Sequence, residues 1–209
     1  MKKAKKAAKT LAHAEHHATA GVAKARDAAP VAALGTLGEL ADQPPLFALS
    51  AGTLALGLVL RRPQLVRTGA RMLVAEAVAT GLKTIVKSSV DRARPARALD
   101  DGAPHVGRGK GAEDTAYNSL PSGHTAGAVA VAQAAAHENP AAALPVKLAA
   151  GAVGAVQLPH GKHYLSDVAI GAAIGWVAER VAGVAIAAAE RAWERRAVDP
   201  LTEAEAHPS

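Results

Sequence analysis

Cysteine is absent from this 209-residue chain, and aromatic side chains nearly so: one phenylalanine, two tyrosines and two tryptophans. The first absence excludes disulfide staples and thiolate catalysis, although it assigns no compartment. The second matters because the apolar half of the sequence is dominated by alanine. Alanine buries little area, so a water-soluble core of this composition would gain little per residue. The same small side chains suit closely packed membrane helices, whose backbones they allow to approach. No alternating strand pattern and no internal repeat occurs, and nothing marks a second domain.

Acidic residues are in deficit. The formal net charge is +6, and much of the excess sits in Lys2, Lys3, Lys5, Lys6 and Lys9. This Lys/Ala stretch has three readings: a solvated helix or frayed tail, a segment drawn to anionic lipid headgroups, or a nucleic-acid tail. No binding motif follows it, so nucleic acid is not expected as a partner. A secretory signal peptide is not expected either, because His13, Glu15, His16 and His17 interrupt the apolar run it would need.

The chain divides into a basic, polar N-terminal helical extension over 1–40, a helical domain over 41–195 and a C-terminal tail over 196–209. Pro30 breaks the extension and Pro44-Pro45 closes it. From residue 43 to residue 60 no side chain is charged, a run just long enough to cross a bilayer. After the basic turn of Arg61, Arg62 and Arg67, a second apolar segment covers 72–86. It carries Glu76 and Lys83, seven residues apart and so on one helix face, where they point into the protein rather than at lipid. Periodicity fails over 90–119, where Gly102, Gly107, Gly109 and Gly111 alternate with charges, and a long loop is expected. Helices resume over 123–136, 141–158 and 168–189, with a turn at Glu138-Asn139-Pro140. Lys147 and the Glu179/Arg180 pair interrupt the last two, so a water-soluble helical bundle stays as the rival reading. The expected fold is all-α: a membrane-embedded bundle of about five to six helices.

Basic loops set the orientation of such a bundle. Arg61, Arg62 and Arg67 would share the cytoplasmic side with Arg191, Arg195 and Arg196. A multi-pass protein then carries the clusters described next on its outward face, a bacterial inner membrane being the expected location. The Lys-rich N-terminus lies outside as well, unless the short segment 29–42, with Glu39 and Asp42, crosses or re-enters.

Three clusters carry chemistry. Lys87 closes the second apolar segment, seven residues before Arg94, so a continuing helix returns both to nearly one face and to one anion. Arg grips two phosphate oxygens with its planar fork and Lys acts as a point charge; Pro95 pushes Arg94 out of helical geometry. The bland reading makes them interfacial anchors. Pro121-Ser122-Gly123-His124 opens a helix, whose first N–H groups bind anions. Ser122 adds a hydroxyl donor, Gly123 lets a phosphate approach the backbone, and His124 sits where it can protonate a leaving oxygen. The competing reading makes Ser122 a helix cap and His124 a surface residue. In the third cluster His163 and Asp167 stand four residues apart. The carboxylate can accept from one imidazole nitrogen, fix the tautomer and leave the other nitrogen to attack phosphorus. His160, His163 and Asp167 as three metal ligands form the rival constellation; Pro159 and Gly161 disfavour a helical register at His160, and no metal is expected.

In order and spacing, Lys-x6-Arg-Pro, Pro-Ser-Gly-His and His-x3-Asp, with a glycine two residues before that histidine, resemble the type 2 phosphatidic-acid phosphatase superfamily over about 87–167. The surrounding apolar helices resemble its integral-membrane branch. The resemblance implies a six-helix bundle and a metal-independent, cofactor-free phosphatase that passes through a phosphohistidine. It implies His163 as nucleophile, Asp167 as its orienter and His124 as general acid, with Lys87, Arg94, Ser122 and the Gly123 amide holding the phosphate. One position departs: where the family's third motif begins Ser-Arg, this chain has Val156-Gln157. Gln157 offers the phosphate a neutral hydrogen bond but no charge. Losing a charge-assisted contact costs about 1.5–3 kcal/mol, roughly one to two decades in rate if felt in the transition state. His160 and Lys162 are the neighbours able to compensate in part.

The expected function is a membrane lipid phosphatase acting on a lipid phosphomonoester or a polyprenyl diphosphate, with phosphorylated lipid and membrane lipids as its partners. The alternative, motivated by Gln157, is a lipid-phosphate-binding membrane protein of the same fold with weak or no turnover. A vanadate-dependent haloperoxidase, whose site resembles this one, fits the small size and apolar helices poorly. The sequence carries no signal for the headgroup or the oligomeric state.

Overall fold

The computed structural model describes residues 10, 13–19, 21–22, 28–29, 31, 41–109 and 115–206, with side chains as far as residue 196. Most of the 1–40 extension, including all six of its lysines, lies outside the described residues. From residue 41 onward the α-helices are α1 (Gln43–Val59), α2 (Pro63–Ser89), the short α3 (Pro95–Asp100), α4 (Gly123–Glu138), α5 (Ala143–Val156) and α6 (Leu165–Ala206). Pro44, Pro63 and Pro95 all lie in first helical turns, where a missing N–H leaves no bond unmade.

The helical bundle is as expected, with two differences, the first in 90–119. That stretch holds an antiparallel hairpin of β1 (Val90–Arg92) and β2 (Val106–Arg108), the helix α3, and a 3₁₀ turn at Thr115–Tyr117. Strands of three residues and a six-residue helix are too short to leave a periodic signal in the sequence. A second difference lies at the C-terminus, where α6 continues past its apolar stretch to Ala206. Hydropathy stops at the charges after Ala189, but Ala, Glu and Arg are all good helix formers.

Helix α4 is central, packing against α1, α2, α5 and α6. Its core face is made of small residues: Ala126, Ala130 and Ala134 are fully buried, and Ala130 and Ala134 meet Ala75 and Ala79 of α2 and Ala178 and Ala182 of α6. Large apolar residues face outward instead, among them Leu56, Leu148, Trp176, Val181 and Val184. Small inside and large outside reverses the pattern of a water-soluble core. Helices α4 and α6 lie backbone against backbone. A Cβ on Gly171 would lie 2.5 Å from the Ser122 carbonyl oxygen, and one on Gly175 would overlap that of Ala126. By length and composition Leu165–Arg196 can cross a membrane; Gln43–Val59 and Pro140–Val156 are shorter apolar helices.

An ion network ties α2, α4 and α6 together at the end away from the hairpin. Arg71 donates from Nε (3.0 Å) and Nη2 (2.6 Å) to Glu179 Oε1, and from Nη1 to Glu138 Oε1 at 3.3 Å. Arg67 reaches Glu138 at 3.5 Å and Glu190 at 3.1 Å. Glu179 thus faces inward, and its charge does not meet the surroundings of the bundle. Removing it leaves Arg71 buried with one partner instead of two. Glu179→Ala is therefore expected to destabilise the protein by about 3 kcal/mol, read as a lowered thermal midpoint in detergent. An unchanged midpoint would contradict the inward placement.

Candidate active site

The Asp167 carboxylate, fully buried in the first turn of α6, gathers the site. Its Oδ2 accepts from the Ser119 hydroxyl at 2.5 Å and the Tyr164 N–H at 2.8 Å. Its Oδ1 accepts from Arg92 Nη1 at 2.6 Å. The Asp167 carbonyl accepts from the Ser122 N–H at 3.0 Å. Arg92 is itself buried, with its guanidinium 4.2 Å above the Tyr164 ring and a second carboxylate, Glu15, at 2.7 Å. Glu15 also accepts from the Ser166 N–H (2.9 Å) and hydroxyl (2.8 Å), so the N-terminal extension caps α6.

His163 lies just before α6 and is 2% exposed. Its Nδ1 is 2.7 Å from the Ser119 carbonyl oxygen, an acceptor only, so Nδ1 carries the proton and Nε2 the lone pair. Asp167 Oδ2 stands farther from Nδ1, at 3.9 Å. The direct orienter of the imidazole is thus the Ser119 backbone, which Asp167 holds through the Ser119 hydroxyl. Burial, followed by the positive charges of Arg94 and Lys87, pushes His163 down to about 3. The ring is neutral at any physiological pH.

The cations that act on His163 are those the first sequence cluster supplies. Lys87, at the end of α2, donates to the Asn118 carbonyl at 3.0 Å. Arg94 is the extended N-cap of α3, and its backbone N–H donates to the Ala116 carbonyl at 2.8 Å. Its buried Nε has no hydrogen-bond partner among the described residues and keeps its donor for a ligand oxygen. Lys83, one turn before Lys87, brings its ammonium beside Gly123, where a Cβ would sit 3.5 Å from Nζ. His124 follows in the first turn of α4, half-buried, with Nε2 3.9 Å from Asp42 Oδ1. Arg94, Lys83 and Lys162 are all near enough to act on its charge, and the charge on His124 reaches His163. The two imidazoles therefore share one end of the bundle.

Two expected phosphate ligands are otherwise engaged. Ser122 is fully buried as the N-cap of α4, its hydroxyl 2.9 Å from Thr125 Oγ1 and accepting from the Thr125 N–H at 3.4 Å. What this turn turns outward are the Gly123 and His124 N–H groups, which have no acceptor within the helix. Gln157 donates from Nε2 to the Val153 carbonyl at 3.2 Å, back along its own helix. Its backbone carbonyl accepts from the His163 N–H at 3.4 Å, through a turn that Gly161 makes possible at φ 64°. His160 points elsewhere, with Nε2 2.6 Å from the Val31 carbonyl oxygen. Sequence reasoning missed Ser119, Arg92 and Glu15, but singled out Lys83 by its seven-residue spacing from Glu76 on an inward helix face.

A family model described as the PAP2 superfamily matches residues 68–190, more than half of the chain. The chain belongs to the PAP2 superfamily. Among solved structures, this PAP2 chain is similar to Aquifex aeolicus LpxE, at 22% identity and TM-score 0.55, over 79% of this chain and 92% of that one. It is also similar to the first transmembrane PAP2 type phosphatidylglycerolphosphate phosphatase from Bacillus subtilis, at 17% identity and TM-score 0.60, over 83% and 85% of the two chains. A comparison with curated proteins finds no match. At these identities the two structures establish a shared fold.

The buried neutral His163 couples this PAP2 site to stability. An unfolded histidine titrates near 6.5, while His163 in the fold titrates near 3. Its contribution is therefore present above pH 6.5 and is lost as pH falls towards 3, because only the unfolded chain takes up the proton in that window. The thermal midpoint should fall across it, and His163→Gln should flatten part of the fall. Parallel curves for the two proteins would contradict the burial.

Proposed function

We propose that this PAP2 protein is a multi-pass membrane lipid phosphatase that hydrolyses a lipid phosphomonoester or a polyprenyl diphosphate through a phosphohistidine on His163. One observation carries the reading: a neutral imidazole, its Nδ1 proton committed to the Ser119 carbonyl, lies within the field of Lys87, Arg94 and His124 at one end of an apolar bundle. Lys87, Arg94 and the Gly123 and His124 amides clamp the nonbridging oxygens, with the Ser122 cap holding those amides in place. The Nε2 lone pair attacks phosphorus in line, and His124 gives its proton to the leaving oxygen as the phosphorus–oxygen bond breaks. The positive charge that His163 acquires is met by the Ser119 carbonyl and by Asp167, 3.9 Å away. Water then attacks the phosphohistidine, His124 takes its proton, and inorganic phosphate leaves with His163 neutral again. Nothing in these steps calls for a metal or cofactor.

The membrane setting is supported by the outward apolar side chains of α1, α5 and α6 and by α2, whose 27 residues make a rod of about 40 Å. The similarity to a phosphatidylglycerolphosphate phosphatase supports a lipid phosphate as substrate. Arg61, Arg62 and Arg67 stand at the end opposite the catalytic cluster, so the positive-inside rule turns the site outward from a bacterial inner membrane. Gln157 favours the second reading, a lipid-phosphate binder with little turnover, since the family's arginine is missing and the amide donor is spent on Val153.

Purified protein assayed on phosphatidic acid and on undecaprenyl diphosphate, with chelator present, separates the two. Phosphate release is expected in chelator, and His163→Ala should lower it by about 10³-fold or more. Gln157→Ala should change kcat/KM by less than about threefold, because its donor faces Val153. Release that survives His163→Ala would contradict the nucleophile, and vanadate binding without hydrolysis of any lipid would favour the binder.

A further inference from the structure

The end of the bundle away from the catalytic cluster contains a cavity of about 500 Å³, between the α1–α2 turn, the first turns of α2 and the α4–α5 turn. Exposed Arg61 and Arg62 line it together with Gln64, Thr68 and Asn139, while Pro63, Leu65, Ala135 and Ala142 supply apolar walls. Two features set these arginines apart. The neighbouring Arg67 and Arg71 are matched by Glu138, Glu179 and Glu190, but Arg61 and Arg62 make no side-chain ion pair or hydrogen bond among the described residues. Arg61 also occupies a glycine's place. Helix α1 ends with the Arg62 N–H on the Gly57 carbonyl (2.8 Å) and the Arg61 N–H on the Leu58 carbonyl (3.2 Å), the paired bonds of a Schellman ending. Such an ending needs a left-handed residue, and Arg61 adopts φ 52°, a conformation that only glycine takes without strain. The fold thus holds a guanidinium at the mouth of the cavity at the expense of local strain.

Two unmatched guanidiniums beside an apolar hollow of this size fit a phosphate monoanion joined to glycerol and the first carbons of an acyl chain. We propose that this cavity binds an anionic glycerophospholipid of the surrounding bilayer, an inference that rests on the membrane reading above but not on catalysis. Arg61 and Arg62 grip the phosphate oxygens, and the glycerol and upper chain lie against Leu65, Ala135 and Ala142. Basic pockets between membrane helices on the cytoplasmic side are suited to such headgroups. Among the described residues no histidine lines this cavity, and the lipid there is proposed as a ligand and not a substrate. Bound, it ties the α1–α2 turn to the α4–α5 turn.

Native mass spectrometry of the full chain, after incubation in detergent with phosphatidylglycerol or phosphatidylcholine, tests this. The protein is expected to retain phosphatidylglycerol about tenfold more than phosphatidylcholine, and Arg61→Gly with Arg62→Gln should remove that preference. Arg61→Gly puts glycine where φ is positive, so without lipid its thermal midpoint should be no lower than that of the parent chain. Retention unchanged in His163→Ala and Arg94→Gln separates this site from the catalytic centre, whatever becomes of the phosphatase reading. Equal retention of the two lipids would make the arginines interfacial anchors only and overturn the proposal. So would full retention by the double variant, loss of retention in Arg94→Gln, or the whole effect reproduced by inorganic phosphate.

Discussion

A carboxylate sealed from water must be matched by donors or it costs several kcal/mol, and the Asp167 side chain is fully buried. The donors that match it come from distant stretches of chain: Arg92 from the β1 strand, Ser119 from the loop before α4, and Tyr164 from the loop before α6. Satisfying one anion therefore fixes three segments relative to one another. Those segments also carry Arg94, the Ser122-Gly123-His124 turn and His163. The proposed catalytic constellation is a by-product of burying Asp167 correctly. The geometry also redistributes roles around His163, since a backbone carbonyl holds its Nδ1 while the carboxylate holds the segment that bears the carbonyl.

The bundle makes this burial possible by keeping its interior small. Gly171 and Gly175 let α6 lie directly on the α4 backbone, the first of them against the Ser122 carbonyl itself. That contact sets the start of α4 next to the start of α6, and the Ser122 N–H then reaches the Asp167 carbonyl. At the far end the same three helices are held by Arg71 between Glu138 and Glu179. Close backbone packing and two buried ion clusters, one at each end, take the place of the large apolar core that an alanine-rich chain cannot build.

Much of this was legible in the sequence. Apolar runs gave α1, α2, α4 and α5 within a few residues, apart from an earlier start to α2, because long periodic segments leave a strong signal. Three motifs in order identified the family, and Glu76, placed on an inward face by its spacing from Lys83, is indeed buried. The hairpin and α3 were not legible, since each is held by tertiary contacts rather than by local pattern. Ser119, Arg92 and Glu15 escaped for a related reason. Single polar residues in a loop, a three-residue strand and the basic extension say nothing of a partner that lies 48 to 151 residues away. Gln157 was noticed as a departure, but the direction of its amide depends on the backbone at Val153, which sequence alone does not supply.

Rapid quenching of the enzyme during turnover of ³²P-labelled phosphatidic acid, followed by peptide mapping, addresses the central claim most directly. A nitrogen-linked phosphate is labile in acid and stable in base, and the account predicts such a label on His163 Nε2, appearing and decaying at the rate of turnover. Steady turnover with no label on His163, or with a label on any other residue, would contradict it.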